Sequence, residues 1–311
     1  MAHRFAFALA AAVVAASGPA HAADRVQPEL GVVRWGRDLD AALERSRASG
    51  RPVLALFDEV PGCATCVGFG QQVLSHPLLA EAIETEFVPL FVANNRPGRD
   101  AELLARFGEP AWNNPVVRFL DARGRDVLER RDGLYSPHEI AVRLVTALRA
   151  AGRHVPLYLA LSEEETQQAH RKSATFAMGC FWEGEERLGA VPGVLAVSAV
   201  HLDPGEGVRV EYDESRLSLA ELQRVAAGQR CSLHGPGRGG EREAVGSDHL
   251  HALARSRLRA LSLTPMQAMR VNSALALGGD ALAVLSPSQR ERAAELSAAR
   301  AAGTRRGAQG R

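Results

Sequence analysis

Four cysteines, Cys63, Cys66, Cys180 and Cys231, hold most of the chemistry open to this 311-residue sequence. The first two form a Cys-X-X-Cys pair directly after Val60-Pro61-Gly62. Residues 52–57 are an apolar run of strand length ending in Asp58-Glu59, Pro-Gly makes a turn, and a helix is expected from 64 to about 84. That order sets Cys63 at a helix N-terminus, where unpaired N–H groups favour the thiolate, and Cys66 one turn inside. Cys63 is then the attacking thiolate and Cys66 the resolving thiol that releases a mixed disulfide. Asp58 either assists proton transfer or is a surface carboxylate at a strand end. The pair could instead be half of a zinc site, although no second pair follows at metal spacing.

Cys180 lies in the run S-A-T-F-A-M-G-C-F-W-E-G-E, residues 173–185. Residues 174–178 have the length and apolarity of a buried strand, Gly179 permits a sharp turn, and 181–191 read as the following helix. Cys180 therefore also falls at a helix N-terminus, with Glu183, Glu185 and Glu186 opposing the thiolate. Phe181 and Trp182 give an apolar surface beside the sulfur, which suits a substrate carrying a methyl group next to a polar atom, such as methionine sulfoxide. A buried cysteine packed with two core aromatics is the alternative.

The elements that must position these residues read as two modules. In the first, helical spacing covers 35–49, a second strand 86–93, a helix 100–107, two strands 115–120 and 126–131 joined at Gly124, and a closing helix 136–151 capped by Ser136. The polar stretch 153–172, with Glu163-Glu164-Glu165, reads as a linker or exposed helix. In the second module two strands, 194–202 and 207–212, flank an Asp203-Pro204-Gly205 turn, and a helix follows at 219–227 after Ser218. Helices are expected at 252–261, from Pro265 to about 277 and from Pro287 to about 302, with a disordered arginine-rich end at 301–311.

The strand, Cys-X-X-Cys helix, second strand–helix unit, hairpin and last helix resemble the thioredoxin order over about residues 35–151. By that resemblance Pro115, after Asn114, is a cis-proline facing the cysteines and contacting substrate, and Val-Pro-Gly-Cys is similar to a bacterial group in which cysteine or selenocysteine fills the position of Cys63. Gly-Cys-Phe-Trp, with Pro-Gly-Val at 192–194 and Val-Glu-Tyr-Asp at 210–213, resembles the A-type peptide methionine sulfoxide reductases. That family's acidic residue, which protonates the departing sulfoxide oxygen, falls on Glu206; the role requires a protonated carboxyl, which an apolar pocket favours. The segment between these strands is shorter than in the family. Tyr135, Tyr158 and Tyr212 match neither family active-site tyrosine, His249 stands in place of the second, and Ala244 in place of a nearby aspartate. Cys231, in an irregular loop at 229–237, becomes the resolving thiol for a sulfenic acid at Cys180. Cys231 with His234, His249 and His251 is the competing zinc or copper reading.

The 37 basic and 36 acidic residues nearly cancel, which gives no footprint for nucleic acid or a polybasic membrane surface. Residues 1–22 combine a basic start, a short apolar run from 5 to 16 and Ala20-His21-Ala22, the pattern of a secretory signal peptide cleaved after Ala22. No segment reaches the ~20 apolar residues of a membrane span. An exported, oxidising compartment, periplasmic where the source has two membranes, allows cysteines to cycle through disulfides.

Taken together, the expected fold is α/β. It comprises a signal peptide 1–22, a thioredoxin-like domain 23–153, a linker 154–172, a smaller α+β methionine-sulfoxide-reductase-like domain 173–260 and a helical tail 261–311. The expected function is an exported peptide-methionine (S)-S-oxide reductase whose first domain is its electron donor. The alternative is a thiol-disulfide oxidoreductase with a non-catalytic client- or metal-binding half. Expected partners are oxidised methionine in exported proteins and an outside thiol donor, a membrane thiol transporter among the options; no cofactor is called for.

Overall fold

The computed structural model describes residues 27–112, 115–235, 240–244 and 248–309, with backbone alone from 299 onward. The signal segment at 1–22 lies outside the described residues. The first unit opens with a 3-10 turn, Pro28–Leu30, then α1 (Leu39–Ser49), β1 (Val53–Asp58), α2 (Ala64–Gln72), α3 (Pro77–Glu86) and β2 (Val88–Ala93). α4 (Arg99–Phe107), β3 (Val116–Leu120) and α5 (Pro137–Ala150) complete it. The strands lie in the order β2-β1-β3, with β1 parallel to β2 and antiparallel to β3. Every strand residue is buried, because helices cover both faces. Leu54, Leu56, Phe91 and Phe119 pack with α2, α3 and α5, while Val53, Ala55, Phe57 and Val92 pack with α1 and α4.

Three expected elements differ. The helix read as 64–84 is two helices, because Pro77 has no N–H to continue the first and opens the second, where the His76 ring accepts the Leu79 N–H at 3.4 Å. The helix read from 35 begins at Leu39 under an Asp38 cap, and Gly36 ahead of it bridges Leu90 in extended form. The strand read as 126–131 is reduced to one bridge, Leu120 to Asp126. Side chains hold that segment instead: Glu109, fully buried, accepts from Arg118 at 2.8 Å and from Arg130 at 2.8 and 2.9 Å.

The second unit contains α6 (Leu157–Thr166), β4 (Arg171–Met178), α7 (Phe181–Leu188), β5 (Val194–Leu202), β6 (Gly205–Asp213) and α8 (Leu219–Gly228). After the short strands β7 (Ser232–Leu233) and β8 (Glu241–Glu243) come α9 (His251–Ala254), a 3-10 turn Arg257–Ala260, α10 (Pro265–Leu277) and α11 (Pro287–Gln309). The sheet is antiparallel, β7-β4-β6-β5-β8. Val197, Ala199, Val208 and Val210 face a core shared with Leu188 of α7, Leu222 of α8 and Met266 and Met269 of α10.

The sequence places a linker at 154–172, yet α6 within it is built into both units. Tyr158 and Leu159 belong to the first core and Leu161 to the second. The Tyr158 hydroxyl lies 3.1 Å from that of Thr85, and Glu165 accepts the Met266 N–H at 3.0 Å. The tail boundary at 261 moves for the same reason. α10 fills the second core, and Arg270 donates to the carbonyls of Gly189, Val191 and Val194 at 2.6, 3.0 and 3.0 Å. The helix read at 252–261 breaks at Ser256, whose hydroxyl takes the Leu258 N–H. α11 runs helical to Gln309, where a disordered end was expected.

Because α6 is buried on two sides, Leu159→Ala should lower stability by about 2–5 kcal/mol in urea unfolding. A glutamate-specific protease should leave Glu163–Glu165 uncut under native conditions. Rapid native cleavage there would mean that α6 is a tether.

Candidate active sites

The first centre is assembled where β1 ends. β1 delivers Asp58, the chain turns through Pro61 and Gly62, and α2 starts at once with Cys63 as its N-cap. Gly62 is required by closeness: a Cβ there would collide with the Glu59 carbonyl and the Cys66 Cβ. The two sulfurs are 3.2 Å apart, Cys63 exposed and Cys66 buried. Hydrogen bonds from the Cys66 backbone N–H, then from the Cys66 thiol, lower the Cys63 pKa from its ordinary value. Burial, then its hydrogen bonds with Cys63 and Asp58, pushes Cys66 up.

Asp58 is fully buried and is not a surface carboxylate. Burial pushes its carboxyl up to about 6, against the lowering effect of its bond with Cys66. Its Oδ1 accepts the Glu59 N–H at 2.8 Å, Oδ2 is buried with no hydrogen-bond partner of its own among the described residues, and the Cys66 thiol acts on the carboxyl group. Pro115 is buried at the start of β3 beside Val117, Leu134 and Ile140. The Asn114–Pro115 bond expected to be cis lies outside the described residues.

The second centre lies at the end of β4. Cys180, half-buried, is the N-cap of α7. The β4–β6 register pairs Met178 with Glu206, and Glu206 Oε2 accepts the Phe181 N–H at 3.0 Å, so the carboxylate sits at the residue after the cysteine. Phe181 turns inward. It is 5 % exposed, in the core, edge-on to Trp182 at 5.9 Å and to His201 at 5.4 Å. That burial corrects the expectation of a substrate-facing Phe181. Trp182 is partly buried, and His251 lies flat against it at 4.0 Å with 13° between the rings.

Cys231 is buried as well, and burial raises its thiol pKa. It is not in an open loop: Cys231 N–H bonds the Ala226 carbonyl at 3.0 Å, and β7 beside it pairs Ser232 with Ala177 and Leu233 with Phe176. Extending that register by one pair sets Cys231 across from Met178, two residues from Cys180. Glu183 and Arg187 of α7 both act on Cys231, and they share the helical face that begins at Cys180. All four cysteines are free thiols.

Sequence reasoning missed the group that fixes this region, Glu185. It is fully buried and accepts from His249 Nδ1 at 2.6 Å, Leu250 N at 2.8 Å and Ala199 N at 3.1 Å. The hydrogen bond with Glu185 raises the His249 pKa. The raised-histidine sign gives a contribution to stability that is complete below about pH 6.5 and lost as pH climbs through the raised value. The signal for Glu185 was its place on the inner side of an amphipathic helix, where a glutamate must find donors. His249 is thus occupied, His251 Nε2 lies 3.3 Å from Arg255, and residues 245–247 lie outside the described residues. No group of three or more His, Cys, Asp or Glu side chains among the described residues could hold a metal ion. No described helix is long and apolar enough to cross a membrane.

Residues 34–122 match the family model described as Thioredoxin-like. The match contains β1, both cysteines of the first pair and β3, so the first unit has a thioredoxin-like region. A solved structure named "DsbH Oxidoreductase" is similar at 19% identity and a TM-score of 0.33, covering 41% of this chain and 92% of that one. No curated protein matches the chain.

Two outcomes test the first centre. Iodoacetamide should modify Cys63 well before Cys66 at pH 7. Asp58→Asn should raise stability to urea at pH 8 by about 2–3 kcal/mol, the size of a two-unit shift. The sign follows from an acid whose folded pKa is raised: its stabilising neutral form is complete below about pH 3.8 and lost as pH rises through about 6. At pH 4 the gain should vanish.

Proposed function

We propose that the chain carries out thiol–disulfide exchange through Cys63 and Cys66. The observation that carries this reading is the pair of sulfurs 3.2 Å apart, one exposed and one buried against Asp58. Cys63 thiolate attacks a disulfide sulfur of the client, forming the Cys63–client bond and expelling the other client sulfur as a thiolate. Asp58, ionised, takes the Cys66 proton; the Cys66 thiolate then attacks Cys63 sulfur and expels the client thiolate, which recovers the proton. The client disulfide gains two electrons and the Cys63–Cys66 pair loses them.

A second reading is favoured by one contact, Glu206 on the peptide N–H that follows Cys180. In it, the second unit is a peptide-methionine (S)-S-oxide reductase that spends the electrons of the first. Cys180 attacks the sulfoxide sulfur, Glu206 delivers a proton to the oxygen, and methionine leaves with Cys180 as sulfenic acid. Cys231 thiol displaces water from that sulfur, and the resulting disulfide is reduced by Cys63 and Cys66. An exported location, oxidised methionine in exported proteins as substrate and a thiol donor outside the chain complete this proposal. His251 over Trp182 and the inward Phe181 leave little apolar surface for a methyl group, so turnover should be slow.

The full chain with dithiothreitol should reduce insulin disulfides, and Cys63→Ser should lose at least about 100-fold of that rate, since the attacking thiolate is gone. With methionine-S-sulfoxide as substrate, Cys180→Ser should abolish turnover and Cys231→Ser should leave a dimedone-reactive sulfenic acid. Insulin reduction without any sulfoxide turnover would leave thiol–disulfide exchange as the whole activity.

A further inference from the structure

Beneath Cys63 lies a second acidic group that the sequence reading passed over and that precedes the thioredoxin-like match. Glu29, in the 3-10 turn Pro28–Leu30, is 4 % exposed, and its Oε1 accepts the Gly62 N–H at 2.8 Å. Gly62 is the residue between Pro61 and Cys63. The turn carrying Glu29 is held against α2 at Gly70, where a Cβ would collide with the Pro28 carbonyl and the Glu29 backbone. Trp35 Nε1 fastens the same turn by donating to the Leu30 carbonyl at 3.0 Å. A buried glutamate on a backbone held at two points is built into the centre.

We propose that Glu29 is a positioning residue of the Cys63–Cys66 centre, holding the Gly62 peptide with one carboxylate oxygen and placing a second negative charge beside Asp58. The inference rests on the thiol–disulfide reading for its consequence in turnover, and on geometry for its existence. Holding Gly62 fixes the turn that aims Cys63 across Cys66. The charge acts on Asp58: besides burial, both Glu29 and Glu59 raise its pKa, and the Cys66 hydrogen bond lowers it. These three groups, Glu29 on the 3-10 turn, Glu59 on the loop and Cys66 on α2, are the titratable neighbours acting on Asp58. Glu29 thereby delays the ionisation of the acid that must accept the Cys66 proton.

The test uses the full reduced chain and Glu29→Gln, which keeps an acceptor for Gly62 and removes the charge. The Asp58 carboxyl is titrated by carbon NMR. Ellman's reagent then reads the chemistry, the first thionitrobenzoate leaving on attack by Cys63 and the second on attack by Cys66. Glu29→Gln should move the Asp58 midpoint down by about half to one pH unit, and the pH profile of second release with it, by loss of a like charge. Glu29→Ala should give the same shift and also slow first release, because Gly62 is freed; Glu29→Asp should restore the midpoint in part. An Asp58 midpoint unchanged in a folded Glu29→Gln protein overturns the proposal. A wild-type chain that shows no second release defeats the thiol–disulfide reading instead, while the Asp58 titration still decides the role of Glu29.

Discussion

β1 is sealed on both faces along all six of its residues, and the last of them is an aspartate. A carboxylate with no solvent must either stay neutral or find donors. Here it has one backbone N–H and a thiol, too little to hold a charge easily, so burial lifts Asp58 toward neutral pH. The rest of the first centre follows from that constraint. Cys66 is stranded as a thiol over a poor proton acceptor, its hydrogen bonds flow to Cys63, and Cys63 becomes the acidic, exposed member of the pair. The asymmetry between two identical residues is thus a product of where the strand ends.

The second centre is organised by the opposite solution to the same problem. Glu185 is equally buried, but it is supplied with three donors from two other segments. Those bonds clamp 249–250 onto α7 and bring the neighbouring His251 over Trp182. Leu250 adopts φ +49 in the process, a conformation bulky side chains rarely take, and its N–H is one of the donors Glu185 holds. The clamp and the surface beside Cys180 are therefore one arrangement.

What the sequence made legible was local. The punctuation Pro-Gly-Cys and Gly-Cys-Phe-Trp placed Cys63 and Cys180 as helix N-caps, and Ser136 and Ser218 ahead of α5 and α8, because turn chemistry and capping act within four residues. Glu206 beside Cys180 was reached through a family pattern and not through periodicity. Burial across long separations was illegible. Asp58 read equally well as a surface acid, Glu29 lies thirty-three positions from its partner Gly62, and Phe181 gives the same apolar letter whether it faces a substrate or a core. The three glutamates at 163–165 looked solvated, while the four residues that bury α6 sit just ahead of them at 158, 159, 161 and 162. A polar run hides a helix when its apolar residues fall at one end.

The sharing of α6 also shapes how the molecule comes apart. One ten-residue helix gives Tyr158 and Leu159 to one hydrophobic core and Leu161 to the other, and Ser288 of α11 is tied to Glu81 of α3 at 2.7 and 2.8 Å. Neither unit can release α6 without opening apolar surface in both. The two cysteine centres therefore sit in one cooperative folding block, so damage that loosens either core is felt as lost protection of amide hydrogens in the other.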